Sequence, residues 1–137
     1  MKKVVVLLII IAVAFGVYSF QTEKEPQEMD CVNSIINTCN NSCDARLSII
    51  LYRKEIENEI DVAKEIIKKC EENSFKTIKF SYDMRIPNEL YINVYLSEKD
   101  FEEGNKAFSF NYDHDGTGDP DEFNILEDKE HFTITLK

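Results

Sequence analysis

Between Asn111 and Glu122 the chain sets out oxygen donors at nearly alternate positions. Side chains come from Asn111, Asp113, Asp115, Asp119 and Glu122, and a backbone carbonyl comes from Thr117. Gly116 stands where such a run must turn sharply if its donors are to converge. A hard cation such as calcium takes about six to eight oxygens, so this spacing suits that chemistry. Asp, Gly and Pro are also the residues from which turns are made. The stretch therefore supports two readings, a calcium site or an acidic hairpin loop.

The twelve residues Asn111-Tyr112-Asp113-His114-Asp115-Gly116-Thr117-Gly118-Asp119-Pro120-Asp121-Glu122 resemble an EF-hand-type calcium loop. The resemblance implies ligands at Asn111, Asp113, Asp115, Thr117, Asp119 and Glu122, with calcium as the cofactor. It departs from the pattern at three points. Asn opens the loop where Asp is usual, Gly118 replaces an apolar residue, and the segment leading in alternates like a strand. A calcium site here implies a brace for the loop and no helix–loop–helix fold.

Other chemistry is sparse. His114 and His131 are the only imidazoles, and no Gly-x-Ser-x-Gly, phosphate loop or dinucleotide fingerprint occurs. No nucleophile stands beside a base in the sequence, so the reading is non-enzymatic. A small hydrolase would need a pocket that perturbs a carboxylate or a histidine. The formal charge is −10 over 137 residues, and from Glu98 to Glu130 twelve acidic residues face three lysines. Such acidity repels nucleic-acid phosphates and anionic lipid, and it favours cations or a basic partner.

The first residues point to export. Lys2 and Lys3 precede the uncharged, mostly apolar run Val4–Phe20. That run reads either as a cleaved secretory signal or as a single N-terminal membrane anchor, and both place the remainder outside the cytoplasm. Residues 21–30 read as a polar linker, and residues 31–137 as one extracytoplasmic domain. In that compartment four cysteines suggest disulfides. Cys31, Cys39 and Cys43 cluster, around a short helix at Val32–Ile36. On the length of the helix proposed next, Cys70 is a separate buried thiol.

The positioning elements follow from periodicity. Ile49, Tyr52, Ile56, Ile60, Ala63, Ile67 and Cys70 recur at spacings of three and four, which predicts one long amphipathic helix from Asp44 to Asn73. Its stripe suits either a coiled-coil seam or the cover of a sheet. After Ser74 the period becomes two. Ile78 to Ile86, Leu90 to Leu96, Phe108 to Tyr112 and Phe132 to Leu136 each alternate apolar with polar. The expected fold is α+β: an N-terminal signal or anchor helix, then the long helix packed on a four-stranded antiparallel, meander-like sheet. Helix followed by four antiparallel strands is broadly similar to cystatin-like architecture, a likeness of fold that carries no function. On the polar sheet face Tyr91 and Tyr95 are the candidate recognition residues. The expected role is an exported or membrane-anchored binding domain for a protein or extracellular ligand, with a calcium-binding surface protein as the alternative.

Overall fold

A computed structural model describes residues 25–40 and 42–137. The predicted signal or anchor segment lies outside the described residues. Within them no helix is long and apolar enough to cross a membrane.

The architecture corrects the expected one. Five strands form one mixed sheet in the order β1-β2-β3-β4-β5: Asp30–Cys39, Ser42–Ile50, Glu89–Tyr95, Phe108–His114 and Phe132–Leu136. Neighbours run antiparallel except β2 and β3, which are parallel and joined through α1 (Glu59–Glu72). A parallel pair needs such a crossover, so a pure meander is ruled out. The long helix from Asp44 to Asn73 does not form: its first part, through Ile50, belongs to β2, and only Glu59–Glu72 is helical. No short helix forms at Val32–Ile36 either, which lies in β1, the other strand of a hairpin with β2. The segment from Ile78 to Ile86, expected as a strand, is a loop with a turn at Tyr82–Met84.

The reasons are local. Val32, Ile35, Ile36, Thr38, Ile49 and Ile50 are β-branched and favour a pleated surface. Cys43, Ala45, Leu47 and Ile49 form a buried period-two row inside the stretch whose wider spacing resembled a helix. Tyr52 then takes a left-handed φ of 53°, which no helix interior accepts. The helix starts at Asn58, whose side-chain oxygen accepts from the N–H of Ile60 and Asp61 at 2.9 and 3.2 Å. It ends at Asn73, left-handed at φ 51°.

One core lies between α1 and one sheet face. Val62, Ala63, Ile66, Ile67 and Cys70 of α1 share it with the inward rows of β2, β3 and β4. Register aligns those rows as Ala45–Leu90–Tyr112–Ile134 and Leu47–Ile92–Phe110–Leu136. At about 25 cal/mol per Å² this apolar burial is the main stabilising term. Asp30, at the head of β1, ties the chain after α1 to the sheet. Its carboxylate accepts from the N–H of Lys76 (2.8 Å), of Thr77 (3.1 and 3.2 Å) and of Cys31 (3.0 Å), and from the Thr77 hydroxyl. The opposite face is open except at one end. There the short helix α2 (Glu98–Glu103) sets Phe101 edge-on to Tyr95 at 5.2 Å.

Candidate functional site

Two regions have features that a core does not require: the outer edge of β1, and the connection between β4 and β5.

The β1 edge is defined by backbone geometry. β1 and β2 turn through residues 40–41, with Cys39 opposite Ser42 and Thr38 opposite Cys43. Both backbone groups of Cys43 point away from β1. Its N–H donates to Asn88 Oδ1, and its carbonyl accepts from Asn88 N–H, each at 2.7 Å. Thr38 and Cys43 are therefore a non-hydrogen-bonded pair of the antiparallel ladder. Alternation then aims the N–H and C=O of Thr38, Ile36 and Ser34 outward, past the edge of the sheet. Among the described residues no backbone hydrogen bond reaches them.

The side chains of this edge are unusual for a bare strand. From Cys31 to Cys39 there is no charge and no proline. Ile35 and Ile36 are 52% and 51% exposed on opposite faces. Edge strands are ordinarily protected by charge, proline, brevity or bulges. β1 spans ten residues and has a single irregularity, between Cys31 and Asn33. On the α1 side, Ile36, Ile78, Phe80, Tyr82 and Met84 border a groove of about 280 Å³ running beside the edge. Met84 is 82% exposed at its rim. Phe80 stacks on Tyr82 at 5.5 Å, and the Tyr82 hydroxyl donates to Cys70 O at 2.5 Å, so the groove floor is fixed to α1. Arg85 donates to Asn40 O at 3.2 Å at the far end of the edge.

The six residues predicted to bind a metal lie along β4 and the connection that follows it. Asn111 and Asp113 lie within β4, opposite Thr135 and Thr133, on the open face. Asp115 and Thr117 lie in the loop beyond. The Thr117 hydroxyl and N–H donate to Asp115 Oδ1 at 2.6 and 2.8 Å. Asp119 accepts from Asp121 N–H at 3.1 Å at the start of the turn Pro120–Glu122, which contains Glu122. Among the described residues no group of three or more His, Cys, Asp or Glu side chains is arranged to hold a metal ion.

What orders this connection is a pair of histidines. His114 accepts from Gly116 N–H at Nδ1 (2.9 Å), so its proton is at Nε2, which donates to Asp128 at 2.6 Å. Phe123 stacks on this ring at 3.9 Å. His131 Nδ1 meets Thr117 Oγ1 at 2.5 Å and Asp115 Oδ2 at 3.2 Å. The Asp115 bond raises His131 above its ordinary value. The bonds from Thr117, and then His131, hold Asp115 down at about 2. A nucleophilic triad needs hydroxyl and carboxylate on opposite imidazole nitrogens. Here Thr117 and Asp115 both meet Nδ1, and the carboxylate on the Nε2 side, Asp128 Oδ1, stands 4.0 Å away, beyond hydrogen-bond reach, so the group acts as a clasp on the loop.

The open sheet face is acidic. Register aligns Asp44, Glu89 and Asp113 on adjacent strands. Burial, then Glu89, pushes Asp113 up, and its Oδ1 is buried without a hydrogen bond. The candidate recognition tyrosines are engaged within the protein. Tyr91 donates to Glu89 at 2.7 Å, which with burial pushes it up to about 12, and Arg46 lies 5.5 Å from its ring. Tyr95 is buried beneath Phe101.

All four cysteines are free thiols. Cys31 and Cys70 are both fully buried in the one core, so Cys70 does not stand apart as the length of the predicted helix implied. Burial pushes the Cys31 thiol to about 12 and that of Cys70 higher, which makes both poor nucleophiles. Cys39 is exposed at the end of β1, and Cys43 is buried on the other face.

Compared with family models, with curated proteins and with solved structures, the chain matches none.

The β1 edge is hidden in the sequence because the spacing of Val32, Ile35 and Ile36 also suits a short helix. The signal was present: a charge-free run of nine residues from Cys31 to Cys39, rich in β-branched side chains, in an otherwise strongly acidic chain.

Proposed function

We propose that this chain is an exported, non-enzymatic interaction module that accepts an extended polypeptide segment along the outer edge of β1. One observation carries the reading: a ten-residue edge strand without charge from Cys31 to Cys39 leaves the peptide groups of Ser34, Ile36 and Thr38 without partners among the described residues. Such an edge is a template for strand addition, in which main-chain bonds supply affinity and side-chain pockets supply specificity. The groove beside Ile36 offers one such pocket, open to an apolar side chain on the incoming strand. Export follows from the basic start and the apolar run Val4–Phe20.

The test uses the isotope-labelled full chain and a synthetic ten-residue peptide of alternating valine and threonine with glutamate at each end. The expected result is amide shift changes at Ser34, Ile36 and Thr38, abolished by Ile36→Pro. Changes confined to the acidic loop or the open face, or none at millimolar peptide, overturn the proposal.

A further inference from the structure

We propose that the natural occupant of the β1 edge is a second copy of this chain. Its β1 runs antiparallel to the first, with Ile36 of each copy on the two-fold axis. The inference rests on β1 being the recognition edge and names the partner.

Three observations select it. The first is the symmetry of the outward groups. Only Ser34, Ile36 and Thr38 lie between the irregularity at Cys31/Asn33 and the turn after Cys39 with both backbone groups facing out. A two-fold pairing that uses all three must set Ile36 against the partner's Ile36, and Ser34 against the partner's Thr38. Each facing pair then exchanges both of its bonds, which is the isologous contact of a closed dimer.

The second is charge. The chain carries −10, so two copies repel over most of their surface. Contact along Cys31–Cys39 opposes no like charges, because that run has none. The ends of β1 are complementary as well. Glu25 and Glu28 precede its first residue, and Arg85 is bonded to Asn40 just past its last. Antiparallel pairing brings the Arg85 end of each copy to the Glu28 end of the other.

The third is the groove. Ile36 and Met84 are exposed at the strip that a facing strand would cover. Pairing removes this apolar strip from water on both copies at once.

The experiment is sedimentation of the full chain across a concentration series. A dimer that dissociates on dilution is expected. Ile36→Pro removes one outward N–H and no bond to β2; it should weaken association by at least about tenfold, while its melting temperature at dilutions where both chains are monomeric stays within a few degrees of the wild type. Ile36→Val keeps the N–H and should dimerise normally. The pairing also sets Cys39 against the partner's Asn33 on the open face. Asn33→Cys should therefore yield a covalent dimer in oxidised glutathione, and Cys39→Ser in the same background should abolish it.

Association that survives Ile36→Pro would lie elsewhere, for example in residues 4–20, and overturns the inference. A monomer in which the Ser34, Ile36 and Thr38 amides resist exchange would mean that the chain's own N-terminal residues cover the edge, and it overturns the inference too. A monomer that still binds the valine–threonine peptide at β1 removes self-pairing and leaves the strand-accepting reading intact.

Discussion

At one border of the sheet β1 runs ten residues, with no charge from Cys31 to Cys39. At the other, β5 runs five residues between His131 and Lys137. Both borders direct alternate peptide groups away from their neighbouring strands. On β5, Lys137 N–H donates to Ser109 O and Asp115 N–H to His131 O, so the outward groups belong to Phe132, Ile134 and Leu136. The Phe132 N–H is already used, donating to Lys129 O in the turn before the strand. The histidine clasp holds that turn against the loop from Asp115 to Thr117. β5 is thus protected by brevity, by its flanking turn and by the lysine that follows it. β1 has none of these devices. The contrast separates an edge built to end a sheet from one built to extend it.

The largest expected effect comes from releasing β1 at its head. Asp30→Ala leaves three N–H groups and the Thr77 hydroxyl without their acceptor, and it should cost about 3 kcal/mol in denaturant unfolding. Burial pushes the Asp30 carboxyl up, but the bonds from Thr77, Lys76 and Cys31 outweigh it and hold the group below the usual range. Its stabilisation is therefore present above the unfolded value of 3.8 and is lost as pH falls through the lower folded value. An acid titration of unfolding should show this loss in the wild type, and Asp30→Asn should flatten it.

A pair of proline substitutions tests the alternation on which the contrast depends. Ile35 lies opposite Arg46 as a hydrogen-bonded pair, so Ile35→Pro breaks a ladder bond and should cost about 2 kcal/mol. Ile36→Pro, one residue on, touches only the outward side and should cost less than about 1 kcal/mol. Equal losses would mean that the assigned register is wrong.

At the β5 end, Gly118 has φ 100°, and a Cβ there would meet Asp128 Oδ2 at 3.3 Å. Gly118→Ala should destabilise by about 1 kcal/mol and loosen the clasp without altering anything at β1. The smallest effect is the pH dependence of that clasp. His131 titrates above its ordinary value of 6.5, raised chiefly by its bond to Asp115. Its contribution is full below 6.5 and fades as pH rises through the folded value. Exchange of the Asp115–Thr117 amides should quicken across that interval, and His131→Gln should remove the dependence.

How much of this was legible in the sequence varied with the range of the interaction that decides each element. The strands at Leu90, Phe108 and Phe132 are alternating runs whose apolar side chains lie on the core side, buried in the first two and partly buried at Phe132 and Ile134, so period two places them. The helix from Ile60 to Cys70 showed its stripe as well. Its start was misplaced because Ile49, Tyr52 and Ile56 happen to continue the helical spacing, while the turn at Tyr52 and the cap at Asn58 carry no period. β1 was lost because one face of an edge strand is exposed and the other only partly covered, so no contrast marks it. The loop at Ile78–Ile86 alternates convincingly, yet its apolar residues line a groove without a neighbouring strand. For the predicted ligands, spacing sets oxygens along the chain, and β4 extends through His114, so Asn111 and Asp113 stand on a strand while Asp115 to Glu122 lie beyond it. Convergence depends on where the strand ends, and pairing with β5 fixes that point.

The most direct test of the β1 edge is hydrogen exchange at Ser34, Ile36 and Thr38 compared with Ile134 and Leu136, measured in the full chain at high and at low concentration. The three β1 amides are expected to exchange slowly when concentrated and rapidly when dilute, while the two β5 amides keep one rate throughout. Concentration-independent rates at β1, or protection that shifts at β5 instead, would contradict this expectation.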